Sequence, residues 1–137
     1  MTSALSFADP QPPPLLLLVE DHEDTRLMYA EFFHPQFDVL QAGDGAQALD
    51  VMRGRRPDIV ITDLSLPGID GFELVARMRR DPELSGIPII CLSGYGGLAL
   101  ERRAREAGCD RILQKPCMPD ELVRAATELL RGGGASA

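Results

Sequence analysis

Short, continuously apolar runs separated by helical patterns constrain this 137-residue chain more than any other feature. The runs are "PPLLLLVE", "FDVLQA", "PDIVITD", "IPIICLS" and "DRILQK", each about the length of one strand. A strand with one wet face alternates apolar and polar residues, so unbroken apolar runs suit strands covered on both faces. Helix signals lie between them. Asp44 with Gln47, and Asp70 with Glu73, have capping-box spacing. In such a box the acid accepts from the amide three residues on, and that residue's side chain reaches back. Leu122, Val123, Ala126, Leu129 and Leu130 form an apolar stripe ending before Gly132, and Pro119 suits the first turn of that helix. Five strands alternating with five helices predict an α/β fold, a parallel sheet with helices on both faces.

Leu15 to Val19 run directly into Glu20, Asp21, Glu23 and Asp24. An export signal needs a basic start and an apolar core of roughly 7–15 residues. Residues 1 to 19 hold no Lys or Arg, and no segment approaches the ~20 apolar residues of a membrane span. The expectation is therefore a cytoplasmic protein with no membrane partner. A net charge of -7 argues against a nucleic-acid surface, which needs a positive excess. Cys91, Cys109 and Cys117 lack CxxC spacing and are expected to be reduced, buried thiols used for packing. Residues 1 to 14, ending "DPQPPP", read as a disordered, partly polyproline-like tail, 15 to 131 as one domain, and 132 to 137 as a glycine-rich tail.

Parallel α/β sheets place their ligands beyond the carboxyl ends of the strands, so the residues ending each run matter most. The first ends in Glu20 and Asp21, the third in Asp63, the fourth in Ser93 and the fifth at Lys115. Lys115 is the single lysine beside thirteen arginines, and a compact ammonium suits one point contact with an anion. Three carboxylates a few ångströms apart cannot all stay ionised unpaired: either a proton or a cation must join them. An all-oxygen site open to water suits Mg²⁺, and such an arrangement suits phosphoryl transfer onto a carboxylate. Taken singly, each residue has an ordinary structural role: acids favour helix starts, Asp63 precedes a turn, and serines commonly end strands. Their joint placement at four strand ends carries the argument.

The same residues resemble the response-regulator receiver domain, the phosphoacceptor module of two-component and phosphorelay signalling. "LLVEDHEDTR" is similar to that family's first strand with its acidic pair. "PDIVITDLSLPGIDGFEL" is similar to the phosphoacceptor strand, loop and helix, "IPIICLSG" to the Thr/Ser strand, and "AGCDRILQKP" to the last strand with its Lys-Pro. The resemblance spans about Leu15 to Arg131. It implies a flavodoxin-like doubly wound sheet of order 2-1-3-4-5 and a cis bond between Lys115 and Pro116. It implies Asp63 as phosphoacceptor, with Mg²⁺ bound by Asp21, Asp63, the Ser65 carbonyl and, through water, Glu20. Ser93 would bind the phosphoryl group and move with it, and Lys115 would be its counter-ion. The phosphoryl donor implied is a sensor histidine kinase or a histidine phosphotransfer protein; the downstream protein target is not specified.

Two positions depart from the family pattern. Ile112 stands where Tyr or Phe is common, and Cys117 follows Lys-Pro where Phe is common. Both remove aromatic area from the face formed by the fourth helix, fifth strand and fifth helix, which the resemblance implies as the output surface that switches with the loop after the fourth strand. Tyr95, in the glycine-rich "SGYGG", is a replacement switch candidate or only a loop aromatic. Arg102, Arg103 and Arg105 read as a solvated helix face, and His22 and His34 have no ligand spacing. The leading expectation is a self-modifying signalling switch, not an enzyme acting on a metabolite. A haloacid-dehalogenase-like enzyme is a weaker reading, since "VEDHED" has Glu23 where that family's motif has Asp. A phosphorylation-independent receiver-like binding module is the other alternative. Met1 and the two tails favour a stand-alone receiver over a piece of a hybrid kinase.

Overall fold

In the computed structural model, which describes residues 12–132, the leucine run Leu15–Val19 forms β1, and all five side chains are buried. Leu17 and Val19 enter one apolar layer while Leu16 and Leu18 enter the other. Each fully buried leucine contributes about 1.5–3 kcal/mol relative to exposure, so the strand is held from both sides. The same division explains the other unbroken runs. In β3 (Ile59–Asp63) Val60 faces the first layer and Ile59 and Ile61 the second; β4 (Ile89–Ser93) divides likewise.

The edge strands are β2 (Asp38–Ala42) and β5 (Arg111–Gln114), less buried than the central three. All pairings are parallel and the order is β2-β1-β3-β4-β5. This is the expected flavodoxin-like arrangement. Five helices complete it: α1 (Glu23–Phe33), α2 (Gly45–Gly54), α3 (Gly71–Arg80), α4 (Leu98–Ala107) and α5 (Pro119–Leu130). Tyr29 and Phe33 of α1 and Leu122, Ala126 and Leu129 of α5 cover one face. Ala48 and Met52 of α2, Leu74, Val75 and Met78 of α3, and Ala104 of α4 cover the other. No described helix is long and apolar enough to cross a membrane. The expected tails fall largely on residues 1–11 and 133–137, outside the described residues.

The helix-start signals hold in half. Asp44 and Asp70 cap their helices, accepting from the Gln47 and Glu73 amides at 2.8 and 2.9 Å. The returning side chains go elsewhere. Gln47 accepts from the Gly43 amide, and Glu73 pairs with Arg77 and Arg80. A carboxylate with arginines four and seven residues on finds stronger, charge-assisted partners there. The Lys115–Pro116 bond is cis as expected, and so is His34–Pro35.

The cysteine expectation requires correction. Cys91 and Cys109 form a disulfide, and only Cys117 is free and buried. Cys91 enters the same layer as Cys109, which follows the left-handed Gly108 at the end of α4. Their Cα atoms are 6.3 Å apart, within bridging range. Crossover geometry brings them together, and residue spacing carries no trace of it.

Candidate functional site at the carboxyl edge

The strand registers set the site. Val19 pairs with Thr62, so Glu20 and Asp63 leave the sheet at the same level. Asp63 is only 5% exposed, and its Oδ2 accepts from Lys115 Nζ at 2.6 Å. Its Oδ1 accepts from the Ser65 amide at 3.1 Å. Glu20, 2% exposed, takes the same ammonium on Oε1 at 3.0 Å and the His22 amide on Oε2 at 3.0 Å. Asp21 is exposed, and carboxylate oxygens of Glu20, Asp21 and Asp63 all lie within 4.8 Å of one another.

This crowding perturbs the titrating groups. Burial raises the Glu20 carboxyl above its ordinary 4.5, and the Asp63 charge adds to the rise. The His22 amide and Lys115 oppose it. Burial disfavours the Lys115 ammonium, yet its hydrogen bonds to Asp63 and Glu20 and their charges outweigh that and raise it above 10.5. Three carboxylates against one ammonium leave two negative charges in a partly buried, all-oxygen cluster. A hard divalent cation that takes one or two carboxylates and keeps its waters fits such a donor set.

Four of the expected residues, Glu20, Asp21, Asp63 and Lys115, are thus brought together. Ser65 is exposed and touches Asp63 through its amide. Ser93 lies at the same edge, but its hydroxyl is closed on the Tyr95 backbone, donating to the carbonyl at 2.8 Å and accepting from the amide at 3.0 Å. Tyr95 itself is 77% exposed. Ile112 is half-buried and packs against the layer under α4, while Cys117 is buried in the opposite layer. Arg102, Arg103 and Arg105 are exposed, and Arg103 stacks over the Phe72 ring at 3.8 Å.

Several supporting residues escaped the sequence reading. Arg26 donates to the Glu20 carbonyl at 2.9 Å and to Gln41 at 3.1 Å, fixing the turn that carries the acidic pair. The Tyr29 hydroxyl donates at 2.8 Å to the Cys117 carbonyl and so ties α1 to the Lys-Pro turn. Gly71 packs on the phosphoacceptor candidate's own backbone: a Cβ there would lie 2.4 Å from the Asp63 carbonyl oxygen and 2.5 Å from Leu64 Cα. Arg26 stands close enough after Glu20 to have been suspected. The Tyr29–Cys117 contact spans 88 residues and leaves no local signal.

The family model for the response regulator receiver domain matches residues 16–127. Sporulation initiation phosphotransferase F of Bacillus subtilis is 34% identical over 116 residues, covering 84% of this chain and 92% of that protein. Polar-differentiation response regulator DivK of Brucella anthropi is 30% identical over 105 residues, covering 76% of this chain and 85% of that one. Among solved structures, a putative response regulator from Chloroflexus aurantiacus superposes with a TM-score of 0.82 at 33% identity, over 87% of this chain and 98% of its own. With the fold, the strand order and the acidic edge in agreement, the chain belongs to the response regulator receiver domain family.

Proposed function

We propose that this receiver accepts a phosphoryl group on Asp63 from a phosphohistidine of a sensor kinase or phosphotransfer protein, in the cytoplasm. The observation that carries the reading is Asp63 itself, held between Lys115 Nζ at 2.6 Å and the Ser65 amide at 3.1 Å with Glu20 and Asp21 alongside. These two contacts orient the carboxylate and set an ammonium beside it, which supports the reading. An Asp63 oxygen would form the new O–P bond as the N–P bond of the donor breaks, the electron pair returning to the imidazole nitrogen. Lys115 would follow the transferred charge onto the phosphoryl oxygens, and Ser93 would leave Tyr95 to donate to one of them.

Asp21, Asp63 and the Ser65 carbonyl would hold Mg²⁺ directly and Glu20 would hold it through water. The ion, when bound, neutralises charge on the phosphoryl oxygens. Loss of the phosphoryl group to water at the same site would reset the switch, so the chain modifies itself and turns over no metabolite. Output would pass through the loop after β4 and the face of α4, β5 and α5, where the half-buried Ile112 offers no ring to rotate. That same Ile112 supports a second reading, a receiver-like module that binds its partner without phosphorylation.

Intact-mass spectrometry after incubation with Mg²⁺ and acetyl phosphate separates the two. The first reading expects one phosphoryl adduct on wild type and none on Asp63→Asn. An unmodified wild type, also inert to a panel of phosphorylated histidine kinases, would leave the second.

A further inference from the structure

The Cys91–Cys109 disulfide stands in a place the site chemistry does not explain. Cys91 is the third residue of β4, two before Ser93, and Cys109 follows the last turn of α4. The bond therefore closes a loop, of sequence separation 18, that contains Ser93, the glycine-rich turn through Tyr95 and all of α4. Within it Gly94, Gly96 and Gly97 are exposed, and Leu98 is almost fully so. To donate to a phosphoryl oxygen, Ser93 would turn its hydroxyl away from the Tyr95 carbonyl, three residues before α4 begins. A covalent tie at the other end of α4 sets how far the helix can follow.

We propose that the Cys91–Cys109 pair is a redox clasp on this receiver: oxidised, it holds α4 to β4, and reduced, it frees α4 to respond to Asp63. The inference rests on the receiver reading above. Both sulfurs lie in one core layer, with Cα atoms 6.3 Å apart, inside the range a disulfide spans. The third thiol, Cys117, lies across the sheet in the other layer and does not compete. In a reducing compartment a disulfide is characteristically transient and redox-sensing.

A peroxide is the oxidant class. The Cys109 sulfur, 7% exposed against 0% for Cys91, attacks one peroxide oxygen, the O–O bond breaks, and the thiol proton joins the released hydroxide to give water and a sulfenic acid. Cys91 sulfur then attacks Cys109 sulfur, the S–O bond breaks, and the thiol proton leaves with the hydroxyl as a second water. Two thiols lose two electrons and one hydrogen peroxide becomes two waters. A dithiol reductant reverses the bond by exchange.

The test uses the full chain, reduced with dithiothreitol or oxidised with hydrogen peroxide, then denatured and alkylated with N-ethylmaleimide for mass analysis. Wild type should take one maleimide when oxidised and three when reduced. Hydrogen exchange measured across 92–108 should be about tenfold slower in the oxidised protein. Cys109→Ser and, separately, Cys91→Ala should exchange at one rate in both conditions. With Mg²⁺ and acetyl phosphate, added exchange in this segment should appear only in the reduced protein. Three maleimides after peroxide, equal exchange in both redox states, or, with the Asp63 adduct formed, an identical response to acetyl phosphate would overturn the clasp. Absence of an Asp63 adduct would instead sink the receiver chemistry, because the maleimide count and the exchange difference are read without phosphate.

Discussion

Replacing Lys115 by methionine keeps the apolar stem and removes the charge on which the site's electrostatics depend. Its ammonium lies 2.6 Å from Asp63 and 3.0 Å from Glu20, and the three carboxylates are within 4.8 Å of one another. At an effective dielectric near 20, unit charges 4.8 Å apart repel by about 3.5 kcal/mol, and Lys115 attracts each partner by about 6 kcal/mol. Removing the ammonium leaves the repulsions unopposed. The lysine side chain is 28% exposed, so water screens part of this, and protonation of one carboxyl relieves more. The expected net loss for Lys115→Met is about 2–4 kcal/mol at neutral pH. Asp63→Asn removes one attraction of about 6 kcal/mol and two repulsions of about 3.5 kcal/mol each. These nearly cancel, so that variant should stay within about 1 kcal/mol of wild type. Urea unfolding of both proteins without divalent cation measures the contrast. In Lys115→Met a carboxyl with a raised folded-state pKa contributes stability at low pH that is lost as pH rises through that value. The deficit should therefore shrink on acidification, and again on adding Mg²⁺. A Lys115→Met loss indifferent to both, or an Asp63→Asn loss as large, would refute the reasoning.

Carboxyl-detected NMR should place the Glu20 titration above 4.5, the direction burial dictates, and Mg²⁺ should move it down. The sign follows: Glu20 favours the folded state below 4.5 and loses that contribution as pH rises through its folded value, and an unmoved midpoint would count against the metal site. Gly71→Ala should cost about 1–3 kcal/mol and slow phosphorylation at Asp63, because the new methyl meets backbone that cannot swing away. Gly54→Ala, with open space around it in a helix, is the control and should be neutral or slightly stabilising in the same thermal melts. Arg79→Met should cost about 2–4 kcal/mol in urea unfolding, since Arg79 makes five hydrogen bonds: to the Ser85, Ile87 and Gly108 carbonyls and Asp110.

The architecture was legible because a strand covered on both faces must be apolar throughout, and Leu15–Val19 and Ile59–Asp63 have few other ways to fold. The acidic edge was legible for a related reason: once strands are parallel, the residue after each shares one edge, so Glu20, Asp63 and Lys115 were bound to converge. Partner choice was less legible. Asp70 advertised a cap, but whether Glu73 returned to the backbone or turned to Arg77 depended on competition among nearby charges. Lys115 was expected as counter-ion to a phosphoryl group, and its bonds to Asp63 and Glu20 follow from two buried acids sharing one ammonium. Least legible were contacts across the chain. Arg79 fastening the end of α4, Tyr29 holding the Lys-Pro turn and Cys91 meeting Cys109 all depend on crossovers. Thiol spacing in particular pointed the wrong way.

The central claim is that Asp63, among the three clustered acids, is the group that carries the phosphoryl. Borohydride reduction of protein treated with Mg²⁺ and acetyl phosphate, followed by peptide mass analysis, tests it directly. An acyl phosphate on aspartate is reduced to homoserine, which marks its own position. The account predicts homoserine at position 63, with Asp21 and Glu20 unchanged. Homoserine at position 21, or a phosphoryl group that survives borohydride on Ser93 or Ser65, would contradict it.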